Sequence, residues 1–133
     1  ERDCPLLIYQ GRLNMLDRSP QEEGILDYCH ENGIGFISFS PLAQGLLTDR
    51  YLNGIPADSR MAKEHFLKHS VLTPELLEQL KTWNEQAGER GETLAEMALA
   101  WILHQKGVTS VLVGASSTAQ LEKNMKCVHA KDF

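Results

Sequence analysis

The chain has 133 residues, of which 42% are hydrophobic and 23% charged, a length that suits one globular domain or part of a larger one. Thirteen Lys and Arg stand against 18 Asp and Glu, for a formal charge of −5, which argues against nucleic acid or an anionic membrane as the main partner. No apolar run approaches the roughly 18 residues of a membrane helix, and nothing resembles a secretory leader. A cytoplasmic protein without membrane insertion is expected.

Cys4, Cys29 and Cys127 are odd in number and lack C-x-x-C spacing, so they imply neither a disulfide framework nor a zinc knuckle, and burial is expected of all three. The chain starts with Glu1 rather than Met and turns apolar almost at once, as a cut end would.

In chain order, Leu6 to Tyr9 reads as a first buried strand. Ser19-Pro20-Gln21-Glu22 supplies an N-cap serine, a proline at the first helical position and a capping-box glutamate. Ile25, Leu26 and Cys29 then form one apolar face, and Asn32-Gly33 ends this helix. Gly35 to Phe39 is a second strand. Ser40 to Leu72 has weak periodicity and reads as a long loop of the kind that carries function.

Thr73-Pro74-Glu75 opens a helix with Leu76, Leu77, Leu80, Trp83 and Ala87 at helical spacing as far as Arg90-Gly91. Thr93 with Glu96 forms a further capping box, ahead of Leu94, Met97, Ala98, Trp101 and Ile102, in a helix ending near Gly107. Ser110 to Val113 is the third strand. Ser117 with Gln120 caps a last helix carrying Leu121, Met125 and Val128. The strands are continuously apolar, as in a parallel α/β sheet covered on both faces. Three such strands leave two open edges, so more strands are expected.

Ligands of parallel α/β folds bind beyond the carboxyl ends of the strands. At the first end, Gln10 has the donor and acceptor that a carboxamide needs, although taken alone it reads better as a satisfied loop amide. At the second, Phe39 can stack on a flat ring, and Ser40 with the backbone N–H groups that follow can meet an anion, with Arg50 and Arg60 nearby. A plain Pro/Gly turn explains that segment equally well. At the third, Gly114-Ala115-Ser116-Ser117 leads into a helix, which suits a phosphate. Ordinary capping by Ser117 and Gln120 is the alternative, but capping needs no glycine. His65 and His69 lack a metal-site context, His30 is expected in solvent, and no lysine or histidine beside Tyr51 supports it as an acid.

The string Ser38-Phe39-Ser40-Pro41-Leu42-Ala43-Gln44-Gly45-Leu46-Leu47-Thr48, followed by Tyr51-Leu52-Asn53-Gly54-Ile55-Pro56 and Ser59-Arg60, and then Ser110-Val111-Leu112-Val113-Gly114-Ala115-Ser116 with Gln120-Leu121 and Asn124, resembles the aldo-keto reductases. The likeness is strongest to the branch of bacterial L-glyceraldehyde 3-phosphate reductases and potassium-channel beta subunits. It covers almost the whole chain. It implies that residues 1–133 are a partial NADP-dependent oxidoreductase domain of α/β class, the C-terminal half of a (β/α)8 TIM barrel with strands six to eight and their helices.

The resemblance further implies an NADP(H) site. Gln10 matches the nicotinamide carboxamide contact and Phe39 the ring-stacking aromatic. Ser40, Pro41, Leu42, Ala43, Gln44 and Arg50, with Arg60, match the loop around the pyrophosphate. Gly114, Ser116, Gln120 and Asn124 match the segment holding the 2'-phosphate and adenine. Lys123 departs from the glutamate usual in this branch, and Asp58 from the aromatic of channel subunits. The family's catalytic aspartate, tyrosine, lysine and histidine map nowhere on this chain. The implied function is NADPH-dependent reduction of small aldehydes or ketones by a complete protein to which this chain supplies the cofactor-binding half. The alternatives are a channel-beta-like regulatory subunit that binds NADP(H), or a catalytically dead remnant. The missing N-terminal half of the barrel is the expected partner, and a homo-oligomer is compatible with the open edges.

Overall fold

The computed structural model describes residues 4–55, 57, 69–130 and 132–133; Pro56, Asp58, Ser59, Arg60 and His65, named above, lie outside them. Three parallel strands, β1 (Ile8–Arg12), β2 (Gly35–Phe39) and β3 (Val108–Val111), form one sheet in that order. Tyr9 pairs with Phe36 and Arg12 with Phe39, while Ser38 pairs with Val111 across an irregularity between Phe36 and Ile37.

Both ends of β1 and of β3 differ from the sequence expectation: Leu6 and Leu7 precede β1, and β3 begins at Val108 rather than Ser110. β1 runs through polar Gln10, Gly11 and Arg12 because all three pair with β2; hydrogen-bond register, not hydropathy, extends it. Leu112 and Val113 fall outside β3, although the Leu112 N–H still donates to the Ser38 carbonyl (2.8 Å). The helical side of the sheet is formed by Tyr9, Gly11, Phe36, Ser38, Val108 and Val111. Its opposite face, with Ile8, Gln10, Arg12, Ile37 and Phe39, is not buried, so burial alternates along β1 and β2. The expectation of a sheet covered on both faces therefore fails among the described residues.

The first helix is two helices. In α1 (Ser19–Glu22) the N-cap position is Arg18, without a side-chain cap, and the Ser19 hydroxyl donates to Asp17 instead of capping. Gly24 at φ 77° interrupts the helix, and α2 (Ile25–Glu31) follows. Capping elsewhere is as the sequence predicts. In α3 (Pro74–Arg90), Thr73 accepts from the Leu76 N–H (3.2 Å) and Gly91 closes the helix at φ 75°. In α4 (Leu94–Leu103), the Glu96 carboxylate accepts from the Thr93 N–H (2.9 Å), and the Thr93 hydroxyl from the Glu96 N–H (3.2 Å). The helix stops four residues before Gly107.

Met97 to Ala100 are all buried, four consecutive positions that span the whole circumference of a helix, so α4 is the central one. One side joins Leu13, Leu26, Cys29 and Phe36 around Ile102; another joins Met15, Leu47, Leu80 and Ala87 around Met97 and Ala98. Each fully buried leucine in these clusters contributes about 1.5–3 kcal/mol. α5 (Thr118–Met125) and the 3-10 turn Lys126–His129 bury Asn124 and Cys127, but the expected stripe of Leu121, Met125 and Val128 is exposed. Contact with α4 selects the other side of α5. Cys4 is also exposed, against expectation, because it precedes the sheet; Cys29 and Cys127 are buried.

Gly11 is required by close packing. A Cβ there would stand 2.9 Å from both Phe36 Cζ and Tyr9 Cε1, whose rings stack with centroids 5.7 Å apart. Gly11→Ala is expected to lower stability by about 1–3 kcal/mol, read as a lower denaturant midpoint, because overpacking forces these rings off their positions.

Candidate functional site

Parallel pairing brings all three strand ends to one edge. The segment after β1 is fixed by Asn14, 2% exposed. Its Oδ1 accepts from the N–H groups of Leu16 (2.9 Å) and Asp17 (2.8 Å), and its Nδ2 donates to the Ser40 carbonyl (3.0 Å). The Ser38 hydroxyl donates to the Leu13 carbonyl (2.7 Å). The exits of β1 and β2 are thereby tied together.

The chain leaving β2 turns through left-handed backbone at three residues that are not glycine: Ser40 (φ 52°), Ala43 (φ 48°) and Gln44 (φ 58°). Such conformations cost about 1–3 kcal/mol each and persist where surrounding structure over-determines them. Here the Ala43 N–H donates to the Ser40 carbonyl (3.1 Å), and the N–H groups of Gly45 and Leu47 share the Leu42 carbonyl. The Thr48 hydroxyl donates to the Gly45 carbonyl (2.6 Å), while Leu46, Leu47 and Tyr51 are buried. The expected long loop thus carries its own small core and 3-10 turns at Ala43–Gly45 and Asp49–Tyr51.

Opposite it, the turn after β3 enters α5 through Ser117, which accepts from the Gln120 N–H (3.1 Å). Gln120 Oε1 in return accepts from the Ser116 N–H (2.7 Å) and hydroxyl (2.9 Å). Between the two walls lies a cleft of about 1130 Å3. Ser40, Pro41, Leu42, Gln44 and Arg50 line one side; Gly114, Ser116, Gln120 and Asn124 line the other. Ala43 packs instead against the cores beneath the loop. Gln10 and Phe39 lie outside the cleft, on the uncovered sheet face, and Gln10 sits inside β1 rather than at its end.

Two polar atoms in the cleft walls, Gln44 Oε1 and Asn124 Nδ2, are buried without a hydrogen-bond partner among the described residues. A buried unpaired polar atom costs about 1–3 kcal/mol, so one wall carries an unsatisfied acceptor and the other an unsatisfied donor beneath the surface. Sequence reasoning missed several members of the site. Thr93 and Ala95, at the start of α4, also line the cleft, as does Lys123, which the sequence had already singled out as a departure from the family. Thr93 was legible as a cap but not as a wall. Arg12 was signalled by strand alternation, two residues beyond Gln10; its guanidinium carbon stands 5.5 Å from the Phe39 ring centroid. No group of three His, Cys, Asp or Glu residues able to hold a metal occurs among the described residues.

The family is decided by comparison with known proteins. Residues 1–132 match the model of the aldo/keto reductase family. The chain belongs to this family. It is 49% identical over 137 residues to the L-glyceraldehyde 3-phosphate reductase of Escherichia coli O157:H7, covering all of this chain and 40% of that protein. It is 38% identical over 125 residues to a probable voltage-gated potassium channel subunit beta of Arabidopsis thaliana, covering 92% of this chain and 38% of that one. The chain therefore spans about two fifths of the curated relatives it matches. A crystallised thermostable aldo-keto reductase superposes with a TM-score of 0.68 at 24% identity, over 98% of this chain and 37% of its own. The chain has the fold of a part of this family's TIM barrel, and no helix among the described residues is long and apolar enough to cross a membrane.

Two outcomes test the edge. Asn14→Ala is expected to destabilise by about 2 kcal/mol in chemical denaturation, since three hydrogen bonds within the buried edge are lost together. Asp17 is held below its ordinary pKa of 3.8, chiefly by the Ser19 hydroxyl, with help from the Ser19 N–H and the charge of Arg12, while desolvation opposes them. A depressed carboxylate stabilises above its unfolded-state pKa and loses that contribution as pH falls through the folded one. Asp17→Asn should therefore flatten the fall of stability below about pH 4 in acid titrations.

Proposed function

We propose that this chain is strands six to eight, with their helices, of an NADPH-dependent aldo-keto reductase, and supplies the cofactor clamp of an enzyme that reduces small aldehydes or ketones. The observation that carries the reading is the cleft between the β2 loop and the β3 turn, with an orphaned acceptor on one wall and an orphaned donor on the other. A dinucleotide presents partners for both. Its adenine offers an amine and ring nitrogens, and its riboses offer hydroxyls. The cleft volume of about 1130 Å3 exceeds the 300–1,000 Å3 usual for drug-sized ligands.

In this reading Ser40, Pro41, Leu42, Gln44 and Arg50 hold the pyrophosphate, with Ala43 packed beneath the loop, and Gly114, Ser116, Gln120 and Asn124 hold the adenosine 2'-phosphate end. A Cβ on Gly114 would meet nothing within 4 Å, and its φ lies outside the left-handed range. Packing does not demand glycine there, and close approach of a ligand to the backbone does. Gln10 orients the carboxamide and Phe39 backs the nicotinamide from the sheet face. Arg60 joins the clamp on sequence grounds. When bound, NADPH supplies the hydride; the chain's own residues bind and orient. The proton donor and its partners belong to the earlier strands of the barrel.

The 49% identity to a named reductase supports an enzyme. The Arabidopsis relative, at 38%, supports the second reading, a cofactor-binding regulatory subunit. Steady-state assays on the barrel that carries this chain distinguish them: an enzyme turns over NADPH with a small aldehyde, whereas a subunit binds NADPH without turnover and co-purifies with a channel. Asn124→Leu is expected to raise the NADPH dissociation constant about tenfold by calorimetry. An unchanged constant in both Asn124→Leu and Gln44→Leu would sink this placement of the site.

A further inference from the structure

The uncovered sheet face carries a cation that neither the cleft nor the packing explains. In β1, Gln10 and Arg12 share that face, two residues apart, about 6.6 Å along the strand. Parallel register sets Arg12 beside Phe39 on β2. The guanidinium lies 5.5 Å from the Phe39 centroid, a cation–π contact of the weak, exposed kind. Arg12 enters no salt bridge among the described residues. Asp17 registers its charge, but that carboxylate is already engaged by Ser19. In a chain of net charge −5, this is a positive charge at a strand end with no ion-pair partner among the described residues.

We infer that Arg12 is a specificity-determining residue that selects carbonyl substrates carrying a carboxylate or phosphate. The inference rests on the reading above, in which Gln10 and Phe39 hold the reactive ring of the cofactor. A carbonyl carbon in position to react must lie about 3–3.5 Å from that ring. Arg12 flanks both residues that position the ring, so an anionic group at the far end of a small substrate meets the guanidinium. A ligand ring stacked on Phe39 displaces the guanidinium from its present face and leaves it beside the substrate. Service to the cofactor's own phosphates is the rival role. The hydroxyls, left-handed loop and Arg50 suited to phosphate lie in the cleft, which Arg12 does not line. Arginine's planar fork matches a carboxylate or phosphate in two parallel hydrogen bonds, which lysine cannot reproduce.

The test compares kcat/KM for 4-carboxybenzaldehyde and 4-methylbenzaldehyde at saturating NADPH, in the barrel that carries this chain. Wild type is expected to favour the carboxylate, and Arg12→Gln to lower the carboxylate-to-methyl ratio about tenfold, as loss of one charge-assisted pair predicts. Arg12→Lys should restore part of the ratio, and raised ionic strength should erode the wild-type preference. Terephthalate binding to the NADP-loaded protein, measured by calorimetry, should weaken in parallel. A ratio unmoved by Arg12→Gln overturns the inference, as does a loss confined to NADPH affinity. A wild-type protein that neither binds nor oxidises NADPH removes the cofactor reading itself, a result distinct from an NADPH-active enzyme without charge preference.

Discussion

One buried amide holds the functional edge together. Asn14 satisfies two N–H groups of its own turn and the carbonyl of Ser40, 26 residues later. That last bond fixes the residue at which β2 leaves the sheet, where the backbone enters the left-handed region at φ 52°. The turn at Ala43 and Gln44 follows from the same anchor. The strain is offset by Leu46, Leu47 and Tyr51, which bury beneath the loop, and by the carbonyl of Leu42, which closes the turn. One wall of the cleft therefore inherits its shape from a residue on the neighbouring strand exit.

The other wall depends on the central helix. α4 begins beside the cleft, with Thr93 and Ala95 among its lining, and passes between the sheet and α3. Asn124 and Cys127 of the last segment are buried against it. Burial raises the Cys127 thiol above its ordinary pKa, and the nearby Glu96 carboxylate adds to the effect. A thiol so placed is a packing group rather than a nucleophile. The same docking that buries Asn124 leaves its amide donor without a partner. In the function proposed here, Asn124 serves both the packing of α5 and the ligand.

The surfaces left apolar have a common geometry. Leu6, Leu7 and Ile8 lead into the free edge strand, and Leu121, Met125 and Val128 run along the outer side of α5. An exposed apolar edge of parallel strands favours association. In the function proposed here, the sheet face bearing Gln10, Arg12 and Phe39 is the one turned to the barrel interior. The relatives' greater length is in keeping with this: the chain spans 40% of the Escherichia coli protein.

Local rules determined much of the chain. Thr73-Pro74, Thr93 with Glu96, and Ser117 with Gln120 cap their helices as read, because a cap requires only residues three apart. Gly35 to Phe39 was legible as a strand, and the motifs around Ser40 and Gly114 placed the chain in its family. Other features depend on groups distant in sequence. Pairing with β2 carried β1 through Gln10, Gly11 and Arg12, and contact with α4 chose which side of α5 is buried. The cleft itself belongs to this second kind. Its walls lie some 70 residues apart in sequence, between Gln44 and Gly114, and parallel pairing alone brings strand ends so separated to a common edge. Composition and motif determined which groups a ligand could meet, whereas register and helix packing decided that Gln44 and Asn124 face one space and Arg12 another.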